Sequence, residues 1–328
     1  MALWLERLGA NVFGLSLPPE AEPNLYTLLE PYSRHVSYLG DIRNRAKIGE
    51  VINRSDFTIA IHMAAQALVR RSYHDPLSTF TTNVMGTANV LDALRGAPSL
   101  KAILVVTTDK VYRNDEHQRP FVEDDRLGGH DPYSSSKAGA ELVAHCWSES
   151  FFRDQGVSLA TARAGNVIGG GDWSEDRLIP DIWRATLSNK PVELRYPYAT
   201  RPWQHVLDPL SGYLLYMEDL VRNLPDLPKA LNFGPNSGEV VTVGEVATVV
   251  STAMNAPFAW NHRCEPQVKE AKYLSLDASL AGRSLNWKPG LRPQEALAWT
   301  AEWYKAFNNG ANVRTLTTIQ LDRYEALN

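Results

Sequence analysis

Ala102-Ile103-Leu104-Val105-Val106-Thr107-Thr108-Asp109-Lys110 is an apolar run that ends in a cluster of polar groups. Near-continuous apolar runs of this length mark a strand buried on both faces, the kind found in parallel sheets with helices on either side. Such sheets bind ligands beyond the carboxyl ends of their strands. Thr108, Asp109 and Lys110 therefore stand where chemistry is expected. The next helical stretch contains Tyr133-Ser134-Ser135-Ser136-Lys137. Its tyrosine and lysine are four residues apart and share one helix face. A free phenol titrates near about 10, so a base at neutral pH needs help, and Lys137 is the expected nearby cation. Together these groups form a proton-handling set for redox chemistry at a hydroxyl. Taken alone, Tyr-x-x-x-Lys also suits a solvated helix face that starts after Asp131-Pro132. Its place after a buried strand ending in Thr-Asp-Lys favours the catalytic reading.

Outward from this stretch the chain alternates. Short β-rich runs at 11–17, 36–39, 57–63, 102–107 and 159–164 are separated by helical patterns near 45–53, 76–95 and 133–153. Strand–helix alternation implies a parallel sheet with helices on both faces. Beyond Gly165 the texture changes to prolines, tryptophans and glycine turns, with helices near 209–222, 243–254 and 293–307. The expectation is an α/β protein whose doubly wound parallel sheet occupies residues 1–165. A smaller mixed α/β lobe, 166–328, interleaves with it. No repeat or low-complexity segment is visible.

The chain has 328 residues, 44% apolar and 21% charged, as ordinary globular proteins do. A net charge of -4 gives no reason to expect nucleic acid or an anionic membrane as partner. The longest apolar runs are strand-sized. The start, Met-Ala-Leu-Trp-Leu-Glu, lacks a signal-peptide pattern. Two cysteines, Cys146 and Cys264, make neither a disulfide framework nor a metal site, and a reducing cytoplasm is the default compartment.

Five motifs then point to a family: His62-Met63-Ala64-Ala65-Gln66, Asn83-Val84-Met85-Gly86-Thr87, Thr107-Thr108-Asp109-Lys110, Tyr133 with Lys137, and Arg163-Ala164-Gly165-Asn166-Val167-Ile168-Gly169. The chain resembles the extended short-chain dehydrogenases/reductases, and among them the nucleotide-sugar 4,6-dehydratases. Lys110 after Thr-Asp, Gly169-Gly170-Gly171-Asp172-Trp173 and Arg201-Pro202-Trp203-Gln204-His205-Val206 have the form of the branch that acts on CDP-glucose.

The resemblance implies a Rossmann-like NAD-binding lobe, a CDP-glucose substrate, a dimer or tetramer and a role in deoxysugar synthesis, such as that of lipopolysaccharide O-antigens. It implies that Tyr133 takes the proton of the sugar 4-hydroxyl and Thr108 holds that oxygen. Lys110 is then the base at C5, and Asp109 the acid for the departing 6-hydroxyl. NAD contacts are implied at Asp41, Ile42, Met63, Ala64 and Ala65, and further at Gln66, Asn83, Thr107, Tyr133 and Lys137. Ala64 and Ala65 also suit plain packing, and Asp41 also suits a helix cap. Asn83 reads either as an orienting group or as an ordinary polar helix residue. Asn166, Arg177 and Arg201 are implied diphosphate ligands; Arg201 has the planar fork that suits phosphate, with a surface ion pair as its plain alternative. His205 and Trp203 read as packing groups, and Trp287, Trp299 and Trp303 as core.

The pattern departs from the family at its start. No glycine-rich phosphate loop occurs, and Ala2 to Gly9 reads as the remainder of the helix that follows one. The expectation is an N-terminally truncated member, with the first strand and loop absent. The strand ending at Leu15-Ser16 carries no acidic residue for a ribose hydroxyl, so the choice between NAD and NADP is weakly specified. Two other readings stay open: another NAD-dependent nucleotide-sugar enzyme such as a 4-epimerase, or a non-catalytic nucleotide-sugar binding subunit.

Overall fold

A computed structural model describes residues 1–29, 34–116, 119–236, 238–256, 260–263 and 273–327. In chain order the first half holds α1 (Ala2–Arg7), β1 (Phe13–Ser16), α2 (Leu25–Leu29), β2 (Val36–Leu39), α3 (Arg45–Ile52) and β3 (Ile59–His62). Next come α4 (Val69–His74), α5 (Pro76–Phe80), a π-helical turn at Thr81–Met85, α6 (Gly86–Leu94) and β4 (Ala102–Val106). A 3-10 turn at Asp109–Val111, α7 (Pro132–Trp147) and β5 (Ser158–Ala164) complete it. The second half holds β6 (Val167–Ile168), α8 (Leu178–Leu187), β7 (Val192–Leu194), β8 (Thr200–Arg201), β9 (Gln204–His205) and α9 (Leu207–Arg222). It continues with β10 (Ala230–Phe233), β11 (Val241–Thr242), α10 (Val243–Ala253), β12 (Trp260–His262), α11 (Ser279–Leu285), α12 (Pro293–Asn308) and α13 (Val313–Glu325).

Four strands form a parallel sheet in the order β10-β5-β4-β3. β1 and β2 pair in parallel as a separate two-stranded sheet. Burial explains why β4 and β5 are central. Ala102 to Val105 are at most 1% exposed, and all seven residues of β5 are buried. Alternate residues of β4 serve opposite faces. Ile103 and Val105 pack with Leu91, Leu94, Ala144 and Phe152, from the helices on one side. Ala102 and Leu104 pack with Tyr213, Tyr216 and Met217 of α9 on the other. Each fully buried large apolar side chain contributes about 1.5–3 kcal/mol. A second core of Trp183, Trp203, Val246, Trp303 and Tyr304 joins α8, α10 and α12.

The helices begin where the sequence provides caps. Asp131 accepts from Ser134 N at 2.9 Å ahead of α7, with Pro132 in the first turn. Thr242 and Glu245 form a capping box on α10.

The strands and long helices fall close to their expected spans. Among elements the periodicity does not announce, β10 matters most, because it brings a strand from the second half into the main sheet beside β5. Its Asn232 looks foreign to a buried strand. Yet its side chain donates to Phe121 O at 3.0 Å and accepts from Tyr112 OH at 2.7 Å, so its polarity is satisfied.

Candidate active site

The carboxyl ends of β4 and β5 open into a cavity of about 680 Å³. Thr107 continues β4 by donating its N–H to Ala162 O at 2.8 Å. The chain then turns, so Thr108, Asp109 and Lys110 all reach the cavity wall. The Thr108 hydroxyl donates to Asp109 Oδ1 at 3.0 Å and accepts from Lys110 N at 3.4 Å. Asp109 is 2% exposed, and its Oδ2 finds no hydrogen-bond partner among the described residues. Burial raises its carboxyl above the usual range, with the Lys110 charge, the Thr108 hydrogen bond and Arg201 pulling the other way. Such a group is fitted to carry a proton and deliver it into the cavity.

Tyr133, one residue into α7, lines the same cavity as Thr108. Burial pushes its phenol above the ordinary value, while Thr108 and the Arg177 cation act to lower it. Lys137, the cation expected to share that task, lies one turn further along α7, and its Nζ donates to Val106 O at 2.9 Å. The side chain is buried within the helix–sheet interface, and burial brings its ammonium down to about 8 against the pull of Glu141.

The implied cofactor residues divide. Met63 and Thr107 line the cavity with Tyr133. Asn83 does orient backbone, since its side chain accepts from Gln66 N at 2.8 Å and donates to Gln66 O at 3.0 Å and to Ser136 Oγ at 2.9 Å. It sits in the π-helical turn, a distortion that aims it out of the regular ladder. The Gln66 side chain is taken up by Thr79 and Leu68, so it braces the loop after β3. Ala64 and Ala65 are half-buried in that loop. Ile42 is buried, and a Cβ on Gly86 would lie 2.6 Å from its Cδ1, so its side chain packs against the start of α6. Asp41 does not cap α3; Asn44 does, accepting from Lys47 N at 3.2 Å. Asp41 is held by Arg43 through Nε at 2.9 Å and Nη2 at 2.6 Å.

Asn166, Arg177 and Arg201 line the same cavity. Arg201 is 6% exposed, donates to Thr200 O at 2.8 Å and acts on Asp109, so its surface ion-pair alternative is excluded by burial. Gly165 permits this closeness: a Cβ there would lie 2.6 Å from Pro202 Cγ and 3.2 Å from Asp109 Oδ2. Arg177 precedes α8 and donates to Ala67 O at 3.1 Å. Among the lining residues Arg70 meets Asp176 at 2.6 Å, and outside that lining Arg71 meets Glu20 through two 2.7 Å bonds. Arg195 and Arg263 add cationic lining. No motif marks Arg70, Asp176, Arg195 or Arg263, because only the fold gathers them. His205 and Trp203 are buried, and Trp203 Nε1 donates to Val241 O at 3.1 Å, as packing groups should be. Trp287, Trp299 and Trp303 are core. Cys146 is an exposed free thiol, and Cys264 lies outside the described residues.

The polar lining at Thr108 and Tyr133, beside Met63 and Thr107 and with Lys137 one turn along α7, fits the ribose and nicotinamide of NAD. The cationic wall fits a diphosphate. Fold and site together define an enzyme of the short-chain dehydrogenase type that works on nucleotide sugars. The chain belongs to the GDP-mannose 4,6-dehydratase family, whose model matches residues 22–299. It is 40% identical to the CDP-glucose 4,6-dehydratase of Salmonella typhimurium, across 99% of this chain and 92% of that protein. It is 28% identical to the dTDP-glucose 4,6-dehydratase of Streptomyces griseus, over 74% and 70% of the two chains. The fold is shared with the dTDP-glucose 4,6-dehydratase of Bacillus anthracis in complex with NAD, at a TM-score of 0.77 and 20% identity over 94% and 92%. It is also shared with UDP-glucose 4-epimerase of Thermotoga maritima, at 0.80 and 19% over 93% and 94%.

Proposed function

We propose that the chain is an NAD-dependent CDP-glucose 4,6-dehydratase, a hydro-lyase that yields CDP-4-keto-6-deoxyglucose. The observation that carries this reading is the meeting of Tyr133 with Thr108, Asp109 and Lys110 in one cavity, together with Arg177 and Arg201. A redox pair alone would suit an epimerase; the added acid and amine suit elimination. The likeness to the Salmonella typhimurium enzyme supports the choice of CDP-glucose.

The residues divide the work. NAD, when bound, supplies the hydride acceptor for C4 and the hydride donor for C6. Tyr133 takes the proton of the 4-hydroxyl, and Thr108 holds the oxygen as it becomes a carbonyl. That carbonyl acidifies the C5 proton, which Lys110 removes and later returns to C5 as C6 is reduced. Asp109 gives its proton to the 6-hydroxyl, which leaves as water. Arg177 and Arg201, with Asn166, hold the diphosphate.

Leu77, Phe80 and Met85 on the α5–α6 helical run and Leu142 on α7 are exposed, Leu77 at 77%. We place a homodimer contact on these helices, and sedimentation of Leu142→Glu as a monomer would support it. Among the described residues no helix is long and apolar enough to cross a membrane, which agrees with a cytoplasmic setting. The product class serves deoxysugar synthesis, including that of O-antigens.

The purified protein with CDP-glucose and NAD should give the 4-keto-6-deoxy product by NMR, with no net NADH. Stoichiometric NADH, or release of a 4-epimer, would overturn the reading.

A further inference from the structure

Glu141 lies two turns beyond Tyr133 on the same face of α7 and is 4% exposed. Both of its carboxylate oxygens are engaged. Oε1 accepts from Arg163 Nε at 3.0 Å and from the Thr107 hydroxyl. Oε2 accepts from Arg163 Nη2 and from Thr161 Oγ1, each at 2.8 Å. Arg163 continues to Tyr112 OH at 2.9 Å and Glu123 O at 3.0 Å, and Tyr112 reaches Asn232 of β10. A buried polar chain thus runs beneath the sheet ends and terminates on Thr107, the neighbour of Thr108. Well-packed apolar residues stabilise a fold as well as a buried ion pair or better, so stability alone does not account for this one.

Lys137 sits one turn from Tyr133 and one turn from Glu141. Its buried ammonium has a carbonyl partner in Val106 but needs a counter-charge as well. Around this end of α7 the titratable groups are His62 on β3, Asp109 and Lys110 after β4, and Arg70, Arg71, His74 and Asp75 on and after α4. Arg163 lies on β5, and Tyr133 and Glu141 lie on α7 itself. His62 is neutral, since burial and then Lys137 lower it to about 3. Of all these, Glu141 is the charge that acts on Lys137, opposing its burial.

We propose that Glu141 is a positioning residue: clamped by Arg163, it fixes the end of β4 through Thr107 and keeps Lys137 an ammonium. The role in oxidation rests on the dehydrogenase reading above; the effect on Lys137 does not. The chemistry it serves is proton removal at Tyr133, where a neutral Lys137 would withdraw positive charge from the oxidising pair.

The test is NMR titration of protein labelled with ¹⁵N at lysine Nζ, with Lys137 assigned by its loss in Lys137→Met. In Glu141→Gln the Lys137 titration should move down by about one pH unit, the size expected on losing a near opposite charge. The alkaline limb of the pH profile for single-turnover oxidation should move down with it, giving about a tenfold lower rate well above both titrations. Should Glu141→Gln fail to fold, Glu141→Gln with Arg163→Met removes both buried charges and should move the Lys137 titration in the same direction by less, because a cation goes with the anion. A folded variant whose Lys137 titrates as in the parent overturns the proposal, as does a rate loss equal at every pH. The NMR readout needs no substrate, so failure of the CDP-glucose assignment would show separately, as an inactive parent.

Discussion

The two ends proposed for the cavity, one for the chemistry and one for the nucleotide, draw on residues that are built differently. At the chemical end Thr107, Thr108, Asp109, Tyr133 and Lys137 are all at most 8% exposed and come from one strand end and one helix start. At the nucleotide end Asn166, Arg177, Arg195, Arg201 and Arg263 come from short strands, helix starts and loops of the second half. The contrast follows from what each end must do. Proton transfer needs groups held within hydrogen-bond reach of the reacting atoms. A diphosphate is large and doubly charged, so it tolerates adaptable cations on looser supports.

The largest effect should follow from Tyr133→Phe, which removes the proton acceptor and leaves the packing of α7. Single-turnover oxidation should fall on the order of 10³–10⁴ while CDP affinity holds. Turnover within a few-fold of the parent would break the assignment of this end. Lys110→Met should split the reaction. Oxidation would survive, elimination would fall on the order of 10²–10³, and reduced cofactor absorbance would build up in a single turnover. Unchanged elimination would assign Lys110 to substrate orientation instead.

Arg201→Ala addresses the other end. Loss of a charged hydrogen-bonding partner should weaken CDP binding roughly 10- to 100-fold by calorimetric titration. A purely catalytic loss at unchanged affinity would move Arg201 to the chemical end, where its influence on Asp109 already places its charge.

The smallest effect on the reaction itself belongs to a residue outside the cavity lining. Asp208, fully buried on α9, accepts from Gly290 N at 2.6 Å and Tyr324 OH at 2.8 Å, and burial raises it to about 6. A raised carboxyl binds its proton more tightly in the folded state. Its contribution is therefore full below the unfolded value and is lost as pH rises through about 6. Asp208→Asn should flatten this dependence between about pH 4 and 6 and raise stability at neutral pH by up to about 3 kcal/mol, read from thermal unfolding. Equal kinetics in the variant would sharpen the comparison by showing that neither end leans on this core.

The chemical end was legible because its groups lie in two contiguous stretches whose residue types already spell proton handling. The nucleotide end was legible only through family likeness, since its cations are scattered and look like ordinary surface arginines. The buried pair beneath the site went unread for the opposite reason. Glu141 passes for a polar helix residue until Tyr133, Lys137 and Glu141 are seen at four-residue steps among Ala138, Ala140 and Ala144. Arg163 within the otherwise small and apolar β5 was the signal available, because a charge in a doubly covered strand demands a partner. β10 escaped because Asn232 breaks its pattern, and its partners lie 111 and 120 residues away.

The ion pair between Arg70 and Asp176 has a consequence for how the two halves hold together. Both residues line the cavity, they come from opposite halves of the chain, and their side chains are 39% and 37% exposed. Exposed pairs of this kind are worth about 0–1 kcal/mol and weaken as salt screens them. The halves are thus fastened here by something the surrounding electrolyte can loosen, whereas the clamp of Arg163 on Glu141, buried on both sides, lies beyond its reach.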